Sequence, residues 1–237
     1  MKAAPSAGVG MMALVLGCGV GAASVRNVTT ATYPEMAPLA HYLSASRADE
    51  IALARSAAPA AISREAEILT LGPKGYETAV PGKNHFVCLV VRPWDNHFDS
   101  SDFWNPKVRA PHCFNAAGAR SVLPTYLKRT EWALAGLSRA QMLKRTQAAL
   151  RADQIPVPEV GSIAYMMSKE GYLGDDVGGH WHPHLMFYLP RTKTTEWGAN
   201  LRDSPVYGDS NALEPLTVFA VPVTHWSDGT PAEARIQ

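Results

Sequence analysis

Three histidines at alternate positions are the residues of this chain best suited to chemistry. His180, His182 and His184 stand directly before an apolar run. In an extended strand, alternate side chains point to one face, and same-face neighbours lie roughly 6.5–7 Å apart. Imidazoles at that spacing can share one metal ion, or one can bind the ion while another transfers protons. The spacing therefore predicts a metal site, with zinc or another divalent transition metal as the cofactor.

Such a site needs further ligands, because zinc usually takes three or four from the protein. We expect His97 and Asp102 to complete the set. The motif His182-Pro183-His184 before an apolar strand is similar to the closing His-x-His of the lysostaphin-type and D-Ala-D-Ala zinc peptidases of cell walls. That resemblance implies an upstream His and Asp pair, but the context of His97 and Asp102 differs, so no family is assigned. Other donors stay open as alternatives: His112, Asp95, Asp99, Asp175, Asp176, His225 and Glu196.

A long loop from Arg92 to Pro111 is the second candidate site, since loops without a regular period are uncommon in compact domains and are often functional. Its aromatic residues alternate with acids, and aromatic platforms with carboxylates can bind sugars or cations. The predicted ligand-binding residues of this loop are Trp94, Asp95, Asp99 and Trp104. The alternative, which we favour, is that the aromatics fix the loop to the core while the acids face water.

The first 23 residues are typical of an export leader. Lys2 supplies a positive start, Val9 to Val20 is apolar, and small residues follow. Residues 15–18 read Val-Leu-Gly-Cys and resemble a lipoprotein lipobox, so Cys18 is the lipid anchor if that signal is used. We therefore expect a periplasmic, lipid-anchored or extracellular protein. The alternative is a cytosolic protein with a buried N-terminal helix.

The remaining two cysteines fit export. Cys88 and Cys113 form an even pair in a compartment that we expect to be oxidising, which predicts a disulfide between them. Two separate buried thiols are the alternative.

Charge and composition narrow the classes of partner. The chain has 22 basic and 21 acidic residues, a net charge of +1, and no basic block. The charge pattern therefore gives no support for a nucleic-acid partner. Hydrophobic residues make up 46% of the chain, which is enough for a core.

Strand-like runs, then helical patterns, then strand-like runs predict an α+β fold. We expect an antiparallel sheet of about five strands packed against two or three helices, in a single domain over residues 46–237 after a tether over residues 24–45. The strand-like runs are Glu67–Leu71, Tyr76–Val80, Phe86–Val91, Gly161–Met167, His182–Leu189 and Leu216–Thr224, and the helical patterns are Ser46–Ala58, Pro124–Ala135 and Ser138–Ala152.

Two functional hypotheses follow from the sequence. The first is an exported bacterial envelope protein with a histidine-rich metal site, such as a metal-dependent hydrolase. The second is a non-enzymatic periplasmic domain that binds a small molecule or an envelope component through the Trp94–Trp104 loop.

Overall fold

The strands of the chain join into one mixed sheet. The computed structural model describes residues 1, 32–210, 213, 214 and 216–232. Within these ranges, eight strands lie side by side in the spatial order β2-β1-β3-β4-β5-β6-β8-β7. Their bounds are Glu67–Gly72 (β1), Gly75–Val80 (β2), Val87–Val91 (β3), Ala110–Phe114 (β4), Ile163–Met166 (β5), His184–Pro190 (β6), Tyr207–Asp209 (β7) and Leu216–Pro222 (β8).

The α+β class agrees with the sequence prediction, but the predicted sheet is wrong in two respects. It has eight strands rather than about five, and it is mixed, because β1 and β3 run parallel with Glu67 opposite Val87. The missed strands are β4 and β7. Pro111 in β4 cannot donate to a ladder, so a sequence pattern that contains it favours a loop. The three residues of β7 have a glycine at their centre, which also weakens the strand signal.

Five α-helices lie within the described part of the chain, rather than the two or three predicted. They are Arg47–Arg55 (α1), Ala60–Ser63 (α2), Ala116–Ser121 (α3), Leu123–Leu134 (α4) and Arg139–Arg151 (α5). Ser46 caps α1 by accepting a hydrogen bond from the backbone N–H of Asp49 at 3.1 Å. Ser138 and Gln141 form a capping box at the start of α5. These local signals explain why the helix starts at Ser46 and Ser138 were readable from the sequence.

Helices cover both faces of the central strands. On one face, Ala54 of α1 and the alanines just after it, Ala57 and Ala58, pack against Ile68, Cys88 and Val90. On the other face, Leu89 and Phe114 pack against the start of α4. Because β3 is covered on both sides, all five of its residues are buried, which accounts for its unbroken apolar sequence.

Cys88 and Cys113 lie directly opposite each other in the β3–β4 ladder, on the face covered by α1. Their sulfur atoms are at disulfide distance, 1.94 Å apart. The predicted pairing is therefore present in the structure and joins two central strands of the sheet.

A buried ion pair fixes α1 to the end of β3. Arg92 is fully buried, and its Nη2 donates to both carboxylate oxygens of Glu50, at 2.8 and 2.7 Å. Its Nε donates to the backbone carbonyl of Tyr42 at 2.7 Å. Tyr42 is also fully buried, and its hydroxyl donates to the carbonyl of Trp104 at 2.9 Å. Residues 32–45, expected to be part of a tether, thus contribute to the core.

Apart from Met1, the predicted leader, including Cys18, lies outside the described residues. In the described part of the chain, no helix has the length and apolar character needed to cross a bilayer.

Candidate functional site

One cavity lies between the sheet and α4, and we call it the sheet-face cavity. Its volume is about 480 Å³. Alternation along the strands places one set of side chains on its floor, because every second residue of a strand faces the same side. That set includes Ala110 and His112 of β4, Met166 of β5, Met186 of β6, and Val218 and Ala220 of β8. The floor is therefore mostly apolar.

The wall opposite the floor comes from α4. Thr125 and Arg129 are one helical turn apart and both line the cavity, with Tyr126 beside them. The ring of Tyr126 lies 5.9 Å from that of His112. Residues four apart share a helix face, so this side of the site follows directly from the periodicity of α4.

Charged residues from segments that are far apart in the chain meet at the border of the sheet-face cavity. His97 Nε2 lies 3.0 Å from Asp209 Oδ2, and the backbone N–H of Phe98 donates to Glu214 Oε1 at 3.0 Å. Arg129 forms a second ion pair with Glu214, with side chains only 4% and 9% exposed. We call these five residues the closing contact. It joins the loop after β3 to α4, to the end of β7 and to the segment that follows β7.

The two ion pairs of the closing contact differ in environment. The side chains of His97 and Asp209 are 37% and 54% exposed, so solvent screens their attraction. Burial lowers the pKa of His97, but the hydrogen bond and charge of Asp209, with Glu214 and Asp99 nearby, outweigh it and raise the pKa above its usual value. His97 is therefore more readily protonated here than in water.

Unpartnered polar atoms concentrate in this cavity. Six buried side-chain nitrogen and oxygen atoms among the described residues have no hydrogen-bond partner, and four of them belong to Asp95, His97 and Arg129. All three residues line the cavity. An unsatisfied buried polar group costs about 1–3 kcal/mol, so such groups are rare unless they have a function.

Asp95 is the most unusual of the three, because both carboxylate oxygens lack a partner. Burial raises the pKa of Asp95 well above its ordinary range, while the charge of Arg129 acts in the opposite direction and Glu214 adds to the rise. The environment therefore favours the protonated carboxyl group, which can donate a hydrogen bond as well as accept one.

The three predicted histidine ligands are not in one strand. The predicted strand from His182 to Leu189 is corrected to start at His184, since Pro183 has no N–H to donate. His184 is buried and lines the sheet-face cavity, whereas His180 is exposed and His182 is half-buried. All three histidines share one small pocket, and His180 and His182 also border an outer crevice of about 380 Å³ beside Trp226.

The two remaining predicted ligands have other partners. His97 pairs with Asp209, as described above. Asp102 is buried and accepts hydrogen bonds from Asn105 Nδ2 at 2.6 Å and from the backbone N–H of Asp175 at 3.0 Å, so it orders two loops. Within the described ranges, no group of three or more His, Cys, Asp or Glu side chains is placed to hold a metal ion. The predicted set of five ligands therefore gains no support from their positions.

The aromatic loop contributes to the site mainly through Asp95. Trp94 and Trp104 are 0% and 3% exposed and belong to the core, and Trp94 Nε1 donates to Thr130 Oγ1 at 2.9 Å. Asp99 is exposed. Of the four predicted loop residues, only Asp95 lines the sheet-face cavity. The buried tryptophans hold the loop so that Asp95 and His97 reach it.

Sequence reasoning missed Arg129, Asp209 and Glu214. Their partners are far away in the chain, with 85 positions between Arg129 and Glu214. The one available signal was the α4 pattern, which places Arg129 on the same face as Thr125. Nothing local marks Asp209 or Glu214 as part of a site.

Comparison with known proteins does not assign the site. No family model, curated protein or solved structure matches this chain. The interpretation therefore depends on the geometry of the cavity.

Proposed function

We propose that this protein is an exported domain that binds a small organic molecule in the sheet-face cavity. The composition of the lining carries this proposal, because a mostly apolar surface converges there with a few polar side chains, among them Asp95, His97 and Arg129. Small-molecule sites are typically mostly apolar clefts of about 300–1,000 Å³ with a few convergent polar groups. At about 480 Å³, the cavity lies within that range.

The lining defines the kind of molecule that fits. Met186, Val218 and Ala220 offer apolar surface to the body of the ligand. Asp95 and Arg129 are polar members of the same lining, and together they suit a ligand group that both donates and accepts hydrogen bonds. We therefore expect a ligand with an apolar body and one polar end.

Export is supported by the N-terminal sequence and by the disulfide. Disulfides persist in oxidising compartments and are rare in the cytosol, and Cys88 is joined to Cys113. The test is the mass of the chain recovered from the cell envelope. Cleavage near Ala23, or a lipid-modified Cys18, is the expected result. Recovery of the full-length chain from the cytosol would contradict export.

Binding is tested by titration with N-phenyl-1-naphthylamine, an uncharged apolar probe that fluoresces when it leaves water. Ala220→Phe places a ring in the cavity, and Val221→Phe is the matched control because its side chain lies on the opposite face of β8. We expect saturable binding by the wild type and by Val221→Phe, with affinity at least tenfold lower in Ala220→Phe.

Two results would contradict the proposal. One is the absence of saturable binding by the wild type. The other is equal affinity in wild type and Ala220→Phe, which would place the probe elsewhere. Circular dichroism of both variants checks that each one folds.

A further inference from the structure

Two histidines and a methionine form a row across three neighbouring strands on the floor of the sheet-face cavity. Met166 of β5 is directly opposite His184 of β6. On the other side of β5, Cys113 of β4 is opposite Tyr165, so the next position of each strand brings His112 beside Met166. All three residues line the cavity.

Backbone hydrogen bonds assign the tautomer of both imidazoles. His112 Nδ1 lies 2.9 Å from the carbonyl oxygen of Ala110, and His184 Nδ1 lies 2.7 Å from that of His182. A carbonyl oxygen only accepts, so each Nδ1 carries the proton. Each Nε2 atom is then left with its lone pair, which is the form in which histidine binds metals.

Both imidazoles are also buried, since each of the two residues is only 4% exposed. Neither Nε2 atom accepts a hydrogen bond from any residue that the structure describes. A backbone carbonyl on Nδ1 with a free lone pair on Nε2 is the arrangement that orients histidine ligands in metal sites.

The donor set indicates the metal. Thioether sulfur is a soft ligand that selects copper(I), and imidazole also binds copper. The set has no carboxylate or thiolate, which disfavours the hard divalent ions and gives zinc only two of its usual donors. Met186 lies two residues after His184 on the same face and offers a second thioether.

We propose that His112, Met166 and His184 bind one copper(I) ion on the floor of the sheet-face cavity. This site shares only His184 with the ligand set predicted from the sequence. It uses residues other than the polar cluster of Asp95, His97 and Arg129, so it does not depend on the proposed organic ligand.

The test is an anaerobic titration of the untagged protein with copper(I) in competition with bathocuproine disulfonate. We expect the wild type to take one equivalent. Met166→Leu removes the sulfur at nearly constant volume and should weaken binding at least tenfold. Met167→Leu is the matched control, because the neighbouring side chain points away from the row, and it should bind like the wild type.

His184→Asn should also lose stoichiometric copper(I) binding. If His184→Asn does not fold, the result for Met166→Leu alone tests the proposal. The proposal would be overturned if the wild type did not bind copper(I), or if Met166→Leu bound it with the affinity of the wild type. Loss of binding in His180→Ala with retention in His184→Asn would place the metal in the outer crevice and would also overturn it. The organic-ligand proposal is tested separately: if the wild type binds N-phenyl-1-naphthylamine as expected, a failure of the copper(I) proposal does not contradict it.

Discussion

Replacement of Asp95 by asparagine tests the energetic cost of the unpartnered carboxyl group. In the folded protein, burial raises the pKa of Asp95 well above its usual value. Between the unfolded and folded pKa values, the folded state therefore binds more protons than the unfolded state. The contribution of this residue to the free energy of unfolding must therefore fall as pH rises through that interval. The reason is that the change of this free energy with pH is proportional to the difference in bound protons between the two states.

The slope has a defined size. A difference of one bound proton changes the free energy of unfolding by about 1.4 kcal/mol per pH unit. The aspartate of the unfolded chain has a pKa of ~3.9. The free energy of unfolding of Asp95→Asn minus that of the wild type should be constant below about pH 4 and should then rise by about 1.4 kcal/mol per unit until the folded carboxyl ionises. Other titrating groups are present in both proteins and cancel in the difference.

Urea unfolding at half-unit intervals from pH 4 to pH 8, followed by circular dichroism, measures this difference. Asp203→Asn is the control, since that side chain is 92% exposed, and its difference should stay flat. A flat difference for Asp95→Asn over the same range would refute the argument that burial controls this carboxyl group.

Three further changes should each lower stability, as measured by urea unfolding. Arg92→Leu leaves the Glu50 carboxylate buried without its partner and should cost about 3–5 kcal/mol; a loss below about 1 kcal/mol would show that the pair is not buried in solution. Reduction and alkylation of Cys88 and Cys113 removes a link across 25 positions and should cost about 3–4 kcal/mol; alkylation of the unfolded chain without reductant would show that the pair is not linked. Gly179→Ala should cost more than about 1 kcal/mol, because Gly179 has a φ of +88° and its Cβ would lie 2.7 Å from an aromatic ring; unchanged stability would contradict this turn.

Local signals predicted the parts of the fold that depend on neighbouring residues. The strand-like runs Glu67–Leu71 and Tyr76–Val80 correspond to β1 and β2, and the helical patterns that begin at Ser46 and Ser138 correspond to two capped helix starts. The strand β4 was missed because Pro111 disfavours a ladder, although tertiary pairing with β3 and β5 holds it in place. Propensity is a weak guide wherever such pairing decides the structure.

The candidate site was less predictable than the fold. His184 and Asp95 were singled out for their residue types, but Asp95 was assigned to the loop site and was only an alternative ligand for the metal site of His184. The structure brings both to one cavity because β6 and the loop after β3 face the same helix. His180 and His182 were misplaced by an assumed straight strand, which Pro183 prevents from starting before His184.

The closing contact has a consequence for how the chain matures. The backbone N–H of Phe98 donates to Glu214 across 116 positions, so the first half of the protein cannot complete the sheet-face cavity alone. During synthesis, a partly emerged chain leaves Asp95 and the apolar floor open to water until β8 adds its side chains to the lining. Completion of the cavity is therefore tied to the last folding step rather than to the folding of any single segment.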